Sequence, residues 1–255
     1  MQRFSFCVHD ILQPQWQQAI PNFNEFDLQV WLIDTNNTAL YNPLVKLLNQ
    51  DELERLSRFK QQDDKTRFVF GRGALRLLVG RYLNQKPETI TFTESITKKP
   101  CIEICFGNLF FNLSHSGSKI LIGFSSHHEI GVDIEQIRPA FKIDDFMERN
   151  YAANEISDIA KSAAPLSHFF KYWSRKEAWL KAVGIGVFGN LKAVDTTGLS
   201  PYIQTETFIA GAFADKFDFY TFSVDDYWAS VGINNNHTMP HFYSINIADL
   251  FETTS

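Results

Sequence analysis

The sequence predicts an α+β protein built from two similar α/β halves related by a pseudo-twofold, with a ligand cleft between them. Three observations carry that expectation. The 255 residues suit one large domain or two of about 125 each. A hydrophobic fraction of 44%, with 24 Phe, supplies ample material for a packed core. Lastly, the stretch Phe68–Gly80 lines up with Tyr172–Gly184 about 104 residues later, and each stretch is a helical pattern followed by strands. The expected boundary gives an N-terminal half of residues 1–127, carrying a basic helix, and a C-terminal half of 128–255.

Taken in order, Leu28–Ile33 is apolar enough for a strand, and Asp34-Thr35-Asn36-Asn37 reads as a turn. Leu44–Phe59 reads as one helix opened by Asn42-Pro43. Thr66–Leu83 reads as a longer helix, with Phe68, Leu75, Leu78 and Val79 facing inward. Arg67, Arg72, Arg76 and Arg81 ride on it, either as a solvated basic face or as anion ligands. Lys86-Pro87 breaks the chain before a short strand at Ile90-Thr91-Phe92 and a loop at Lys98-Lys99-Pro100. Leu109–Leu113 and Lys119–Phe124 form a hairpin whose expected turn is Ser114-His115-Ser116-Gly117.

The next strand, Ile130–Glu135, has a period of two, with Ile130, Val132 and Ile134 on one face and Gly131, Asp133 and Glu135 on the other. Paired carboxylates two residues apart on a buried strand repel and raise each other's pKa, a conflict that a divalent cation removes. A solvent-facing strand side is the plainer alternative. Arg138-Pro139 ends the strand, and Asp144–Asp158 reads as helical.

The stretch Phe169–Gly184 organises the chain. Pro165 and Ser167 signal its entry, and Gly184 and Gly186 its end. Phe169, Trp173, Leu180 and Val183 make a stripe, and Glu177 and Lys181 stand at i and i+4. A surface ion pair is the ordinary reading of that spacing. Phe219–Val224 and Tyr227–Ile233 are strands joined at Asp225-Asp226, and Ser244–Phe251 closes the chain.

A formal net charge of -5 excludes a generic nucleic-acid binder. The charge is uneven, with nine Lys/Arg against five Asp/Glu from Asp51 to Lys86, so one region suits an anion. Cys7, Cys101 and Cys105 have neither zinc-knuckle nor redox spacing and fit reduced thiols in a cytoplasmic protein. No signal-peptide core opens the sequence, and no apolar run approaches a membrane span. Gly184-Ile185-Gly186-Val187-Phe188-Gly189 ends a helix, the wrong context for a dinucleotide fingerprint. Pro240 spoils a helical metal pair of His237 and His241.

Asp133, Glu135 and Glu177 offer hard oxygen ligands, which favours Mg²⁺ over zinc. The basic helix, Lys99 and Lys181 are candidates for phosphate contacts, and the set points to displacement at phosphorus. Gly131-Val132-Asp133-Ile134-Glu135, then Trp173–Lys181 about forty residues on, resembles the paired signature of 4'-phosphopantetheinyl transferases. Phe111–Gly117 is similar to another motif of that family, and Lys99-Pro100 to its Lys-Pro loop. The length resembles the monomeric surfactin-synthetase-activating type, whose two halves are pseudo-duplicates.

The resemblance implies that coenzyme A donates its phosphopantetheine arm to a serine of an apo carrier domain, releasing adenosine 3',5'-bisphosphate. By matched position Asp133, Glu135 and Glu177 would hold Mg²⁺, and Glu177 would accept the proton of the carrier serine. Lys181 would neutralise charge on the pyrophosphate. Lys99, Ser114 and His115 would meet the phosphates of coenzyme A, and Arg67 and Arg72 its 3'-phosphate. Glu52 and Glu54 depart from the family pattern, standing where relatives tend to be basic beside Arg55 and Arg58. The acidic carrier would dock on Gly117-Ser118-Lys119 and the loop from Phe141 to Phe146. A Mg²⁺-dependent nucleotide-diphosphate hydrolase and a non-catalytic coenzyme A-binding module are the alternatives at this stage.

Overall fold

Strand alternation sorts side chains onto two faces, and that sorting stacks the molecule in four layers. The computed structural model describes residues 2–21, 27–94, 99–102, 109–184, 191–198, 203–205, 216–234 and 238–252. Lys98, Cys105, Gly186, Gly189 and His237 lie outside the described residues. In chain order the elements are β1 (Gln2–Ile11), β2 (Trp16–Gln17), β3 (Leu28–Asp34), α1 (Tyr41–Val45), α2 (Gln50–Arg58) and α3 (Gln62–Leu83). There follow β4 (Phe92–Glu94), β5 (Pro100–Ile102), β6 (Phe110–Ser116), β7 (Lys119–Ser125), β8 (Ile130–Gln136), α4 (Asp144–Asn150) and α5 (Ala153–Lys161). The chain continues through α6 (Pro165–Val183), β9 (Ile203–Thr205), β10 (Lys216–Val224), β11 (Tyr227–Asn234), β12 (His241–Ser244) and α7 (Ile247–Glu252).

One five-stranded sheet runs β2-β12-β3-β7-β6 and the other β8-β11-β10-β1-β9. Leu28, Val30 and Leu32 of β3 meet Ile130, Val132 and Ile134 of β8 in the apolar layer between the sheets. The alternate residues Trp31, Ile33, Ile120 and Ile122 face outward onto Phe70, Ala74 and Leu78 of α3. On the other side Phe6, Phe217 and Phe219 pack against Trp179 and Leu180 of α6. The order is thus helix, sheet, sheet, helix.

The expected duplication shows in the topology. β3-α3-β6-β7 places its strands in the order β3-β7-β6, and β8-α6-β10-β11 places its strands in the order β8-β11-β10. All four of these pairings are antiparallel. The chain ends then cross over: β1 adds in parallel to β10, and β12 adds in parallel to β3. Among the described residues no helix is long and apolar enough to cross a membrane.

Local chemistry moves several boundaries. The single helix expected over 44–59 is two, because Asn49 restarts it. Its side chain accepts from the Glu52 N–H at 2.9 Å while Glu52 accepts from the Asn49 N–H at 3.0 Å. The helix expected over 144–158 likewise breaks at Tyr151 and Ala152, where Glu155 accepts the Ala152 N–H at 2.8 Å. The hairpin turn is shorter than expected, so Ser114 and His115 lie on β6 instead of in a loop. The expected strand at 90–92 begins only at Phe92. The residues from Ser244 onward close the fold as the end of β12 and the helix α7.

α6 begins with Pro165 as its first residue and ends where Gly184 turns left-handed, at φ 70. Its buried surface exceeds the expected stripe. Arg175 and Lys176 are buried too, while Trp173 and Val183 keep partial exposure. Arg175 donates to Thr221 Oγ1 at 2.9 Å and to the Thr196 carbonyl at 2.8 Å, and it pairs with Asp10. Lys176 and Glu155, both 0% exposed, form an ion pair at 2.8 Å that binds α6 to α5. With its charged residues satisfied inside, the helix is held from several sides at once.

Candidate active site

The site starts from a close approach of backbone. A Cβ at Gly131 would fall on the Ala178 carbonyl oxygen and the Ala182 nitrogen, so only glycine lets α6 lie this near β8. Asp133, two residues along the strand, thereby meets Lys181 on the helix. The Lys181 ammonium donates to Asp133 Oδ1 at 2.6 Å and to Ser114 Oγ at 3.0 Å. Ser114 in turn donates to Asp133 Oδ1 at 2.9 Å.

A side-chain ladder from β6 holds β8 in place. Asn112 Oδ1 accepts the Val132 N–H at 2.9 Å, and Ser116 Oγ accepts the Gln136 N–H at 3.1 Å. Ser116 also donates to Glu135 Oε2 at 3.2 Å. Residues 112, 114 and 116 therefore fix both carboxylate-bearing positions of β8 from the other half of the molecule. Sequence reading missed Asn112 and Ser116, because placing residues 114–117 in a turn hid their alternation.

Burial pushes Glu135 up to about 7, and the nearby Asp133 charge adds to it; Arg138, the Ser116 hydrogen bond and Lys181 pull the other way. Burial likewise raises Glu177, with Asp133 adding and Lys181 opposing. Asp133 is 3% exposed, and its Oδ2 is buried without a hydrogen-bond partner. Asp133, Glu135 and Glu177 do not bring one oxygen each within 4.8 Å of one another. The donors are nonetheless all oxygen, they carry excess negative charge, and one is an orphaned buried carboxylate atom. Such a set suits a hard divalent cation.

A pocket opens beside this centre, on the outer side of β6. Arg55, Arg67, Arg72, Phe68, Phe111 and His115 line it. Arg72 sits over the Phe92 ring, 4.9 Å from its centroid, and pairs with Glu52 at 3.3 Å. Although His115 keeps an exposed edge, crowding about its ring and then the Arg67 cation lower its pKa. Three cations and a polarised imidazole beside an apolar wall make an anion-and-ring site.

The basic helix does not act as one face. Arg76 is 0% exposed and serves the fold, pairing with Glu52 at 2.8 Å and donating to the Pro87 and Ile90 carbonyls. Arg81 donates to the Leu250 carbonyl at 2.8 Å. Only Arg67 and Arg72 of the four reach the pocket, joined there by Arg55. Glu52, the departure noted in the sequence, is buried and holds Arg72 and Arg76 together. Lys99 meets Glu129 at 2.5 Å and the Ile130 carbonyl at 2.8 Å, at the start of β8. Phe141 and Phe146, expected on a docking loop, lean onto Phe169 of α6.

Known proteins resemble this chain in sequence. Residues 129–232 match the model of the 4'-phosphopantetheinyl transferase superfamily, and residues 35–127 match the model of the 4'-phosphopantetheinyl transferase N-terminal region. The 4'-phosphopantetheinyl transferase HetI of Nostoc sp. is 32% identical over 184 residues, covering 69% of this chain and 78% of that protein. A putative 4'-phosphopantetheinyl transferase of Synechocystis sp. is 34% identical over 169 residues, covering 65% of this chain and 68% of that protein. The 4'-phosphopantetheinyl transferase Sfp of Bacillus subtilis is 29% identical over 145 residues, covering 56% and 63%. With both halves matched and a carboxylate–lysine centre on β8 and α6, the chain belongs to the 4'-phosphopantetheinyl transferase superfamily.

Proposed function

We propose that Asp133, Glu135 and Glu177 seat Mg²⁺ while Lys181, Ser114, His115 and the arginine pocket hold coenzyme A. The enzyme transfers the 4'-phosphopantetheine arm of coenzyme A to a serine of an apo carrier protein, as its family membership establishes. The observation that carries the site assignment is Asp133 Oδ2, a buried carboxylate oxygen with no hydrogen-bond partner, on a strand whose other acid is raised to about 7. Bound Mg²⁺ supplies charge neutralisation and polarisation of phosphate oxygens.

The protein's own residues do the rest. Glu177, raised by burial, is a base of useful strength for the carrier serine hydroxyl. As the serine oxygen bonds to the pantetheine-bearing phosphorus, the bond to the bridging pyrophosphate oxygen breaks. Adenosine 3',5'-bisphosphate leaves with that oxygen. Lys181 and Ser114, already bonded to each other, offer donors to the phosphate oxygens as charge develops on the leaving group. Arg67 and Arg72 take the 3'-phosphate, and Arg55, which lines the same pocket, joins them. Lys99 is assigned to the phosphates as the family motif implies; its present bonds to Glu129 and Ile130 require it to exchange partners on binding.

We take residues 1–127 and 128–255 as the two halves, supported by the repeated strand order. One chain carrying both halves supports a monomer. The free thiols at Cys7 and Cys101 support a cytoplasmic setting. The carrier surface is assigned to Gly117, Ser118, Lys119 and the segment from Phe141 to Phe146, which the structure makes a short loop running into the first turn of α4. Intact mass measurement of an apo carrier domain incubated with the enzyme, coenzyme A and Mg²⁺ tests the assignment. A gain of one phosphopantetheine arm, abolished by EDTA, is expected. Transfer that persists in EDTA and in an Asp133→Ala variant would remove the metal from the mechanism.

A further inference from the structure

β1 is the strand that crosses from the N-terminal half into the C-terminal sheet, and its two faces differ in chemistry. Phe6 faces α6 with Phe217 and Phe219 of β10. Cys7 and His9 alternate with it and project from the opposite face, away from the proposed Mg²⁺ site on α6. Cys7 lies directly across from Asp218, and His9 from Tyr220. The thiol, an imidazole nitrogen and an Asp218 oxygen all lie within 4.8 Å of one another.

We infer that Cys7, His9 and Asp218 form a binding site for a borderline divalent transition-metal ion, with Zn²⁺ the natural occupant. Three features make this more than a chance meeting. The ligand set of sulfur, nitrogen and oxygen matches zinc and excludes Mg²⁺, which takes oxygen. Asp218 is 1% exposed, so one donor is fixed inside the sheet while Cys7 and half-buried His9 lie open to an arriving ion. The His9 ring is also oriented, stacked on Tyr220 at 4.9 Å with an interplanar angle of 13°, and its Nε2 lies 3.2 Å from Asp218 Oδ1.

A nucleophilic triad fits less well. Asp218 is the common partner of thiol and imidazole, so His9 does not stand between acid and sulfur, and slight desolvation with the Asp218 charge raises the exposed Cys7 and keeps it a thiol. A cation reverses that balance: the sulfur–hydrogen bond breaks, the sulfur–metal bond forms and the proton passes to solvent. Three protein ligands leave a position for water. An ion held there ties β1 to β10 and so fastens the exchanged N-terminal strand to the other half.

The test uses the full-length chain, freed of metal and titrated with Co²⁺ as a coloured substitute for Zn²⁺. A single equivalent should give a thiolate-to-cobalt absorption band that Zn²⁺ abolishes and excess Mg²⁺ leaves intact. Cys7→Ser should remove the band, and His9→Gln should weaken Co²⁺ binding at least about tenfold. Asp218→Asn risks misfolding because the side chain is buried, so alkylation of the wild-type protein is the second measurement. Zn²⁺ should slow modification of Cys7 and leave Cys101 unaffected, as read by peptide mass. No band, a band that survives Cys7→Ser, a band lost on Asp133→Asn, or equal alkylation of Cys7 with and without Zn²⁺ would each overturn the inference.

Discussion

Glu177 and Lys181 stand one turn apart, yet Lys181 pairs with Asp133 at 2.6 Å across 48 residues of sequence instead of with Glu177. Burial and then the Asp133 charge outweigh the opposing pull of Lys181, so Glu177 keeps the raised pKa that suits a base. Glu177→Gln should therefore lower turnover by about 10²-fold or more while coenzyme A still binds. Steady-state rates and a coenzyme A titration check this, and near-normal turnover would take the role from Glu177. Glu135 predicts a pH effect of definite sign. Burial and the Asp133 charge push its carboxyl up to about 7, so acid holds a proton where the metal needs a carboxylate. Mg²⁺ affinity should climb from about pH 6 to about pH 8, with proton release on binding that calorimetry in two buffers can read. A flat profile would mean that Glu135 binds no metal.

At the scale of elements, periodicity found the helices and strands but short-range capping set their ends. Asn49 and Glu52 cap each other and split a helix that hydrophobic spacing alone joins. That capping pattern was visible in the sequence, as asparagine followed three residues later by glutamate. No local rule, in contrast, marks Gly131 as the seat of α6, since its requirement comes from a helix some fifty residues downstream. Gly131→Ala would press a methyl group on helix backbone that cannot rotate away. The variant should lose about 1–3 kcal/mol of stability and also activity, as Asp133 and Lys181 separate. Denaturant unfolding measures the first and the carrier assay the second. Wild-type stability would show that α6 yields at little cost.

At the scale of the whole molecule, each half finishes the other's sheet. β1 lies within the C-terminal sheet and β12 within the N-terminal one, so neither half carries all its strands. Residues 128–255 expressed alone should fail to show cooperative thermal unfolding, because β10 lacks β1 and β12 lacks β3. Adding residues 1–127 should restore it, followed by circular dichroism. Independent cooperative folding of 128–255 would show that the crossed strands are dispensable. The ladder of Asn112, Ser114 and Ser116 adds a separate tie between the halves, joining edge strands β6 and β8 through side chains.

The family, the α+β class, the duplication of a helix followed by strands, and the residue types of the site were legible in the amino-acid sequence. Those follow from local patterns: alternation along a strand, spacing along a helix, and motifs whose members lie near one another. Which charges serve chemistry and which serve the fold emerged from the folded chain. Arg72 and Arg76 lie one turn apart on α3, yet one lines the pocket and the other is sealed behind Glu52. Lys176 and Glu177 are neighbours, yet one is buried against Glu155 and the other keeps partial exposure with its pKa raised. Charge in a sequence is a property of one residue. Its free energy depends on the solvent excluded and the partners supplied by distant segments, and those exist only after the chain has folded.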